Sequence, residues 1–375
     1  MLECKYFFDE LKKSGLEFFT GVPDSLLKNF CFYIADVLPP EQHIITANEG
    51  SAVGLATGYH LATGKIPVVY LQNSGLGNTI NPILSVADPE VYGIPMVLII
   101  GWRGEPGVKD EPQHKKQGRV MLEMLKSMEI PFDIIDKDTK NVPERINQAL
   151  TTVKEKSCTF VFAVREGTFS DYEYKNVEAN PYQLTREAAI DSVLNCVKKE
   201  DVVVCTTGKA SRELYELRNK RSEENRADFL VVGSMGHCSQ IALGVALQKP
   251  NKKIYCIDGD GSSIMHMGSF ATTGRLAPKN FVHILINNGA HESVGGQPTG
   301  AFEIDWGNVV KSCGYKSVLK VDDPASLQAT VTKAASMEGP VLVEVRTTQG
   351  SRKDLGRPKS TPLENKKQFM KALNE

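Results

Sequence analysis

Hydrophobic and polar positions follow a two-part rhythm along this chain. Short apolar runs rich in Val and Ile alternate with longer stretches whose apolar residues recur at helical spacing. In the first half the runs cover 16–20, 66–71, 95–101 and 159–164; in the second they cover 201–205, 229–232, 253–257, 281–286 and 341–345. Runs this short and this uniformly apolar predict strands buried on both faces of a parallel sheet. The stretches 184–198 and 325–335 predict helices between them. Alternating strands and helices in both halves predict two doubly wound α/β domains. The polar, turn-rich stretch 167–181 (GTFSDYEYKNVEANP) marks the boundary, giving domains 1–175 and 176–375. No third domain fits in 375 residues, and the basic, polar tail from Ser351 reads as an arm or terminal helix.

Composition narrows the class. The chain is 41% hydrophobic and 24% charged with a formal net charge of −1, which gives no electrostatic case for nucleic acid or an anionic membrane. The eight Cys are scattered, without a CxxC or a Cys/His cluster, and so predict buried thiols in a reducing compartment. The N-terminal MLECKYFFDELKKSG mixes charge with helically spaced apolar residues and has no signal-peptide core. These features predict a cytoplasmic enzyme.

Candidate chemistry is densest at Gly259-Asp260-Gly261-Ser262-Ser263, followed after the run 281–286 by Asn287-Asn288-Gly289-Ala290. The first element leaves the predicted strand 254–257, and the second leaves the strand 281–286, so both reach the carboxyl edge where open α/β sheets bind ligands. Two Gly predict a tight turn and close backbone approach to an anion, and a helix over 262–275 would offer unpaired N–H groups to phosphate. A carboxylate, an amide oxygen and a backbone carbonyl beside a diphosphate suit octahedral Mg²⁺. A lone Gly-Asp-Gly is an ordinary turn; its pairing with Asn-Asn at this spacing is not. The combination resembles the signature of the thiamine diphosphate-dependent 2-oxo acid decarboxylases. That resemblance implies Asp260, Asn288 and the Ala290 carbonyl as Mg²⁺ ligands, with Gly259, Gly261, Ser262 and Ser263 around thiamine diphosphate.

The rest of the chain extends the resemblance. The segment 47–58, with Glu49 ahead of Gly50, Ala52, Gly54, Ala56 and Gly58, is similar to the family's pyrimidine-binding helix. It implies Glu49 as the group that hydrogen-bonds the aminopyrimidine ring; taken alone, Glu49 is an ordinary acidic residue of a first helical turn. Gly233-Ser234-Met235-Gly236, ahead of a small-residue helix over 241–247, resembles the site where a bulky side chain bends the cofactor, implying Met235 as wedge and the Gly233 carbonyl as acceptor. The family's sites lie between subunits, which implies an obligate homo-oligomer. The motifs at 20–25, 102–107, 206–214 and 291–299 are similar to the phosphonopyruvate decarboxylase branch, with sulfopyruvate decarboxylases the nearest competitor and carboligases a further alternative. The adjacent-His motif of pyruvate decarboxylases is missing from 72–78. A phosphonate substrate asks for cations, and Arg103, Lys109, Lys209 and Arg212, with Arg352 and Arg357 in the tail, are candidates. Asp24 and His291 are candidates for proton transfer. No GxGxxG opens a helix after a first strand and no Walker A motif is present, which excludes the common nucleotide-binding alternatives.

Overall fold

The central strands have no polar side to offer to water. Residues 96–101 and 159–164 are buried at every position, and so are residues 281–287. In a pleated strand, successive side chains point to opposite faces, so such runs need cover above and below. The computed structural model, which describes residues 1–177, 179–223 and 226–375, supplies it with helices. The chain divides into two units, Met1–Val177 and Glu178–Glu375. The stretch 167–181 includes Glu178, which lies outside the described residues.

In the first unit, β1 (Phe19–Gly21), β2 (His43–Ile45), β3 (Val68–Gln72), β4 (Met96–Gly101), β5 (Phe132–Ile135) and β6 (Thr159–Val164) form a sheet of order β2-β1-β3-β4-β6-β5. In the second, β7 (Val202–Cys205), β8 (Ala227–Leu230), β9 (Ile254–Gly259), β10 (Phe281–Asn287), β11 (Ser317–Val321) and β12 (Val341–Arg346) run in the order β11-β12-β10-β9-β7-β8. Every pairing between these strands is parallel. Numbered from its own first strand, each sheet has the same order, 2-1-3-4-6-5. The two doubly wound parallel sheets expected from the hydrophobic rhythm are present.

Alternation feeds two cores per sheet. From β4, Val97 and Ile99 join Phe7, Phe19 and Phe30 on one face, while Leu98 and Ile100 join Ala52, Val53 and Leu125 on the other. From β9, Tyr255 and Ile257 face one cluster, and Ile254 and Cys256 face another.

Three strands were not anticipated: 43–45, 132–135 and 317–321. All three are sheet edges, short and half-buried, where the apolar signal is weakest. The predicted strand 229–232 sits two residues earlier, at 227–230. The single helix expected over 262–275 is two, Asp260–Met265 and Ser269–Leu276. His266 leaves helical dihedrals (φ −131°, ψ 53°) and Gly268 caps the second piece.

The tail closes the exposed edge of the second sheet. Thr361 and Glu364 form a reciprocal capping box that opens the helix Pro362–Asn374. Asn365 Nδ2 donates to the Asp228 carbonyl (3.0 Å), and its Oδ1 accepts from the Leu230 N–H (3.1 Å), as a neighbouring strand would. Arg352 pairs with Glu187, Glu216 and Asp354, so its charge fastens the arm to the second unit. Asn365→Ala removes two hydrogen bonds to an edge strand and should lower unfolding stability by about 1–3 kcal/mol; urea denaturation of the purified protein checks this.

Candidate active site

The second unit gathers its polar groups where β9 and β10 end. Their register sets Ile286 beside Gly259, so Asp260 and Asn288 leave the same sheet edge from adjacent strands. β7 and β9 flank the point where the strand order reverses, the ligand-binding position of open α/β sheets. Asp260 is buried and accepts from Thr299 Oγ1 (2.8 Å), while the Gly289 N–H donates to Asn287 Oδ1 (3.2 Å). Burial pushes the Asp260 carboxyl up to about 6, against the pull of the Thr299 hydroxyl and nearby backbone N–H groups. The two Asn do different work. Asn287 Nδ2 donates to Glu344 Oε1 (3.0 Å) and the Ala301 carbonyl (3.2 Å), which makes it a buried strut. Asn288 Oδ1 accepts from the Ala290 N–H (3.0 Å), and its Nδ2 donates to Glu292 (2.9 Å).

The two Gly around Asp260 do not serve as turn residues, contrary to the expectation from sequence. Gly259 has extended backbone (φ −105°), and neither Gly has positive φ. Space is what they provide. A Cβ at Gly259 would meet nothing within 4 Å, whereas one at Gly261 would lie 3.1 Å from Met235 Cε and 3.2 Å from His291 Nδ1. Met235 and His291 therefore converge on Gly261. The Met235 turn is tied down: the Gly236 N–H donates to Ser262 Oγ (3.1 Å), and Ser234 is held left-handed at φ +56°. Gly233 is half-buried in the same turn. The Ser262 and Ser263 hydroxyls are engaged by protein, with Thr206 (3.4 Å) and Asp258 (3.3 Å) respectively.

A buried ion network backs Asn288. Arg186 pairs with Glu213 (2.7 Å) and Glu292 (2.8 Å), and Lys209 pairs with Glu292 (2.8 Å). Burial alone would raise the Glu292 carboxyl, but Arg186 and Lys209 outweigh it and hold it below the usual range. Arg212 is half-buried on the helix Lys209–Lys220. Burial pushes the His291 imidazole down to about 4, so it is neutral at neutral pH.

The first unit has its own cluster at the equivalent edge, between β1 and β3. Asn48 caps the helix Glu49–Thr63, accepting from the Ser51 N–H (2.9 Å), so Glu49 stands in the first turn. Glu49 is buried and accepts from Asn78 Nδ2 (2.7 Å). A Cβ at Gly75 would lie 2.1 Å from Glu49 Oε1, so this carboxylate fits only against a glycine. Asp24 is fully buried, accepting from Gln72 Nε2 (2.6 Å) and the N–H groups of Leu26 and Leu27 (3.2 Å each). Burial raises its carboxyl above the usual range despite these donors and Arg103. Arg103 donates to Ser25 Oγ (2.7 Å) and forks onto Asp110 (Nε to Oδ2, 2.8 Å), while Lys109 is exposed. Glu49, Asp24 and Arg103 thus belong to one unit; Gly233, Met235, the Asp260 turn, Asn288, Ala290, His291, Lys209 and Arg212 belong to the other. Thr299 and Glu292 stood inside the 291–299 motif with no role assigned, and Arg186, Gln72 and Gly75 were given none either; only folding reveals what they touch.

The donor set fits the group that the motif implies. Asp260, the Asn288 amide and the Ala290 carbonyl are hard oxygen donors, and a divalent cation would offset the cost of burying Asp260. The open space at Gly259 leaves room for a diphosphate.

Residues 206–345 match "Thiamine pyrophosphate enzyme, C-terminal TPP binding domain", and residues 4–128 match "Thiamine pyrophosphate enzyme, N-terminal TPP binding domain". A phosphonopyruvate decarboxylase of Streptomyces viridochromogenes is 33% identical over 376 residues, spanning 95% of this chain and 91% of that protein. The chain belongs to the phosphonopyruvate decarboxylase family of thiamine pyrophosphate enzymes. A second phosphonopyruvate decarboxylase, from Streptomyces hygroscopicus, is 32% identical over 89% of this chain and 85% of its own length. A sulfopyruvate decarboxylase of Methanosarcina acetivorans is 26% identical over 97% of this chain and 96% of its own.

Behind the Asp260 turn, Asp258 accepts from the Gly259 N–H (2.9 Å) and faces His283 Nε2 at 3.7 Å. Burial alone would push the His283 imidazole down, but Tyr315 and Asp258 outweigh it and hold it up to about 9. A folded value above the unfolded one gives stability that is complete below about pH 6.5 and lost as pH rises through about 9. Wild-type protein should therefore lose on the order of 3 kcal/mol more than His283→Gln between pH 6.5 and 10, read from denaturant curves at each pH.

Proposed function

We propose that this protein decarboxylates 3-phosphonopyruvate to phosphonoacetaldehyde and CO₂, taking up one proton, with thiamine diphosphate and Mg²⁺ bound. The match along nearly the whole of two phosphonopyruvate decarboxylases carries the reading. The chemistry that thiamine diphosphate supplies when bound is an electron sink for loss of the carboxylate.

The chain's own residues then divide the work. Asp260, Asn288 and the Ala290 carbonyl hold Mg²⁺, supported by the buried carboxylate of Asp260 and the brace of Glu292 behind Asn288. The open space at Gly259 admits the diphosphate, Gly261 leaves room for Met235 and His291 beside it, and Ser262 and Ser263 follow in the same turn. Glu49, oriented by Asn78 and given room by Gly75, holds the aminopyrimidine ring. Met235 and the Gly233 carbonyl bear on the bent rings. Asp24 is the better proton donor of the two candidates: burial favours its protonated form, whereas His291 is neutral and a weak acid at pH 7. Arg103, Lys109, Lys209 and Arg212 are the cations available to a phosphonate; Arg103 and Lys209 are already oriented by Asp110 and Glu292. We place the enzyme in the cytoplasm as an obligate homo-oligomer whose sites are completed between subunits, binding neither nucleic acid nor membrane; no helix among the described residues is long and apolar enough to cross one.

The test is aldehyde formation, coupled to an NADH-dependent reductase, with phosphonopyruvate, sulfopyruvate and pyruvate in turn. Phosphonopyruvate should be turned over with the highest kcat/KM. Preference for sulfopyruvate, the substrate named for the Methanosarcina relative, would discard the phosphonate reading and keep the cofactor assignment. Glu49→Ala should lower kcat at least ~100-fold. Gly75→Ala, which drives a methyl into the Glu49 carboxylate, should lower kcat similarly while leaving Mg²⁺ binding in place. A monomer by light scattering at assay concentration would sink the oligomer assignment.

A further inference from the structure

One buried side chain of the second unit has no use in anything described above. Gln297 is 1% exposed, yet neither its Nε2 nor its Oε1 has a hydrogen-bond partner. Among the described residues it alone leaves both ends of a buried amide unpaired. Buried amides in folded proteins are paired as a rule, so an empty one marks a missing partner.

The backbone fixes which way Gln297 faces. Ala290 and Pro298 form an antiparallel bridge, flanked by Thr299 N–H to the Gly289 carbonyl (3.0 Å) and His291 N–H to the Gln297 carbonyl (2.8 Å). In such a ribbon His291 lies opposite Gln297 and Gly289 opposite Thr299, and residues two apart share a face. Two side chains on that face have known destinations: Thr299 Oγ1 reaches Asp260 (2.8 Å), and His291 comes against Gly261. Gln297 shares the face on which Thr299 and His291 meet the Asp260–Gly261 turn.

We propose that Gln297 binds an anionic phosphoryl oxygen at this turn, donating from Nε2. The inference rests on the reading that the turn receives thiamine diphosphate, Mg²⁺ and a phosphonate substrate. An apolar ligand would leave both ends of the amide unpaired, and a second cation on Oε1 would repel the Mg²⁺ proposed at the same turn. A phosphoryl oxygen takes the Nε2 donor and leaves Oε1 for a water of the site. The nearby cations do not remove this need, since Arg186 and Lys209 are committed to Glu292. A neutral donor in a dry site also adds no charge beside Mg²⁺. The phosphoryl oxygen can come from the cofactor's diphosphate or from the substrate's phosphonate.

Gln297→Met removes the amide at nearly constant length, and Gln297→Glu keeps its shape while presenting a negative charge. Full-length wild type and both variants are titrated calorimetrically with thiamine diphosphate and, separately, with thiamine, each at saturating Mg²⁺; KM for phosphonopyruvate is measured in parallel. A diphosphate contact weakens thiamine diphosphate binding about tenfold in Gln297→Met, and more in Gln297→Glu, with thiamine unaffected. A phosphonate contact leaves the cofactor titrations unchanged and raises KM about tenfold with little change in kcat. The proposal is overturned if both quantities stay within twofold of wild type, whatever the melting temperature does, or if thiamine and thiamine diphosphate weaken equally. Should wild type fail to turn over phosphonopyruvate, the functional reading fails on that line, and the cofactor titration decides Gln297 alone. If one variant does not fold, the other supplies the comparison.

Discussion

A carboxylate removed from water must be given something in return, and that constraint organises the second unit. Asp260 is met by a hydroxyl and by backbone N–H dipoles, which are not enough to keep its proton affinity in the ordinary range. The surrounding features follow from where that carboxylate sits. The register of β9 and β10 delivers Asn288 beside it, and the Thr299 hydroxyl donates to it. The buried Arg186–Glu292–Lys209 network holds Asn288 in turn. A protein that wanted only stability would put apolar residues here. The divalent cation proposed for this site would reverse the balance, turning the costly group into the anchor.

The repeated strand order gives each unit the same edge for chemistry, and the two are furnished differently. In the first unit the residues after β1 and β3 are Asp24 and Gln72, joined by a 2.6 Å hydrogen bond and packed so tightly that a Cβ at Gly101 would lie 1.9 Å from Asp24. In the second, the corresponding strands β7 and β9 lead to Thr206 and to the Asp258–Asp260 segment, where open space remains at Gly259. One edge is closed around a protonatable carboxyl and the other is open around hard oxygen donors. The common topology fixes where a ligand can be met, and the residues after each strand decide what is met there.

Much of this was legible beforehand, for reasons that differ by residue. Strands such as 96–101 and 159–164 were readable because burial on both faces leaves a continuous apolar run. Edge strands such as 43–45 and 132–135 were not, since one side of each meets no partner strand and its pattern carries no period. Asp260 and Asn288 were legible through spacing, because a strand-turn-helix-strand unit has a nearly fixed length. The break at His266 was not, although Gly268 beside it is a breaker, because the whole of 262–275 reads as the one helix between two strands. Gly259 and Gly261 were found for a reason the fold revises: they supply room, not left-handed backbone.

Motif reading is weakest for residues that act on the motif from elsewhere in the chain. Glu49 was visible in sequence, but Gly75, whose missing Cβ makes space for the Glu49 carboxylate, lies 26 positions away and looks like any loop glycine. Glu292 stood inside the 291–299 motif with no role assigned, yet it joins Lys209 and Arg186 to Asn288 across more than 80 residues of chain. Lys209 was a candidate for the phosphonate as a cation of the 206–214 motif near a strand end; here its charge is balanced by Glu292. A lysine so engaged binds a dianion only by sharing or breaking that pair, so the free energy it contributes is the difference between two contacts. Recognition at this edge therefore depends less on the number of cations than on which donors have no competing partner inside the protein.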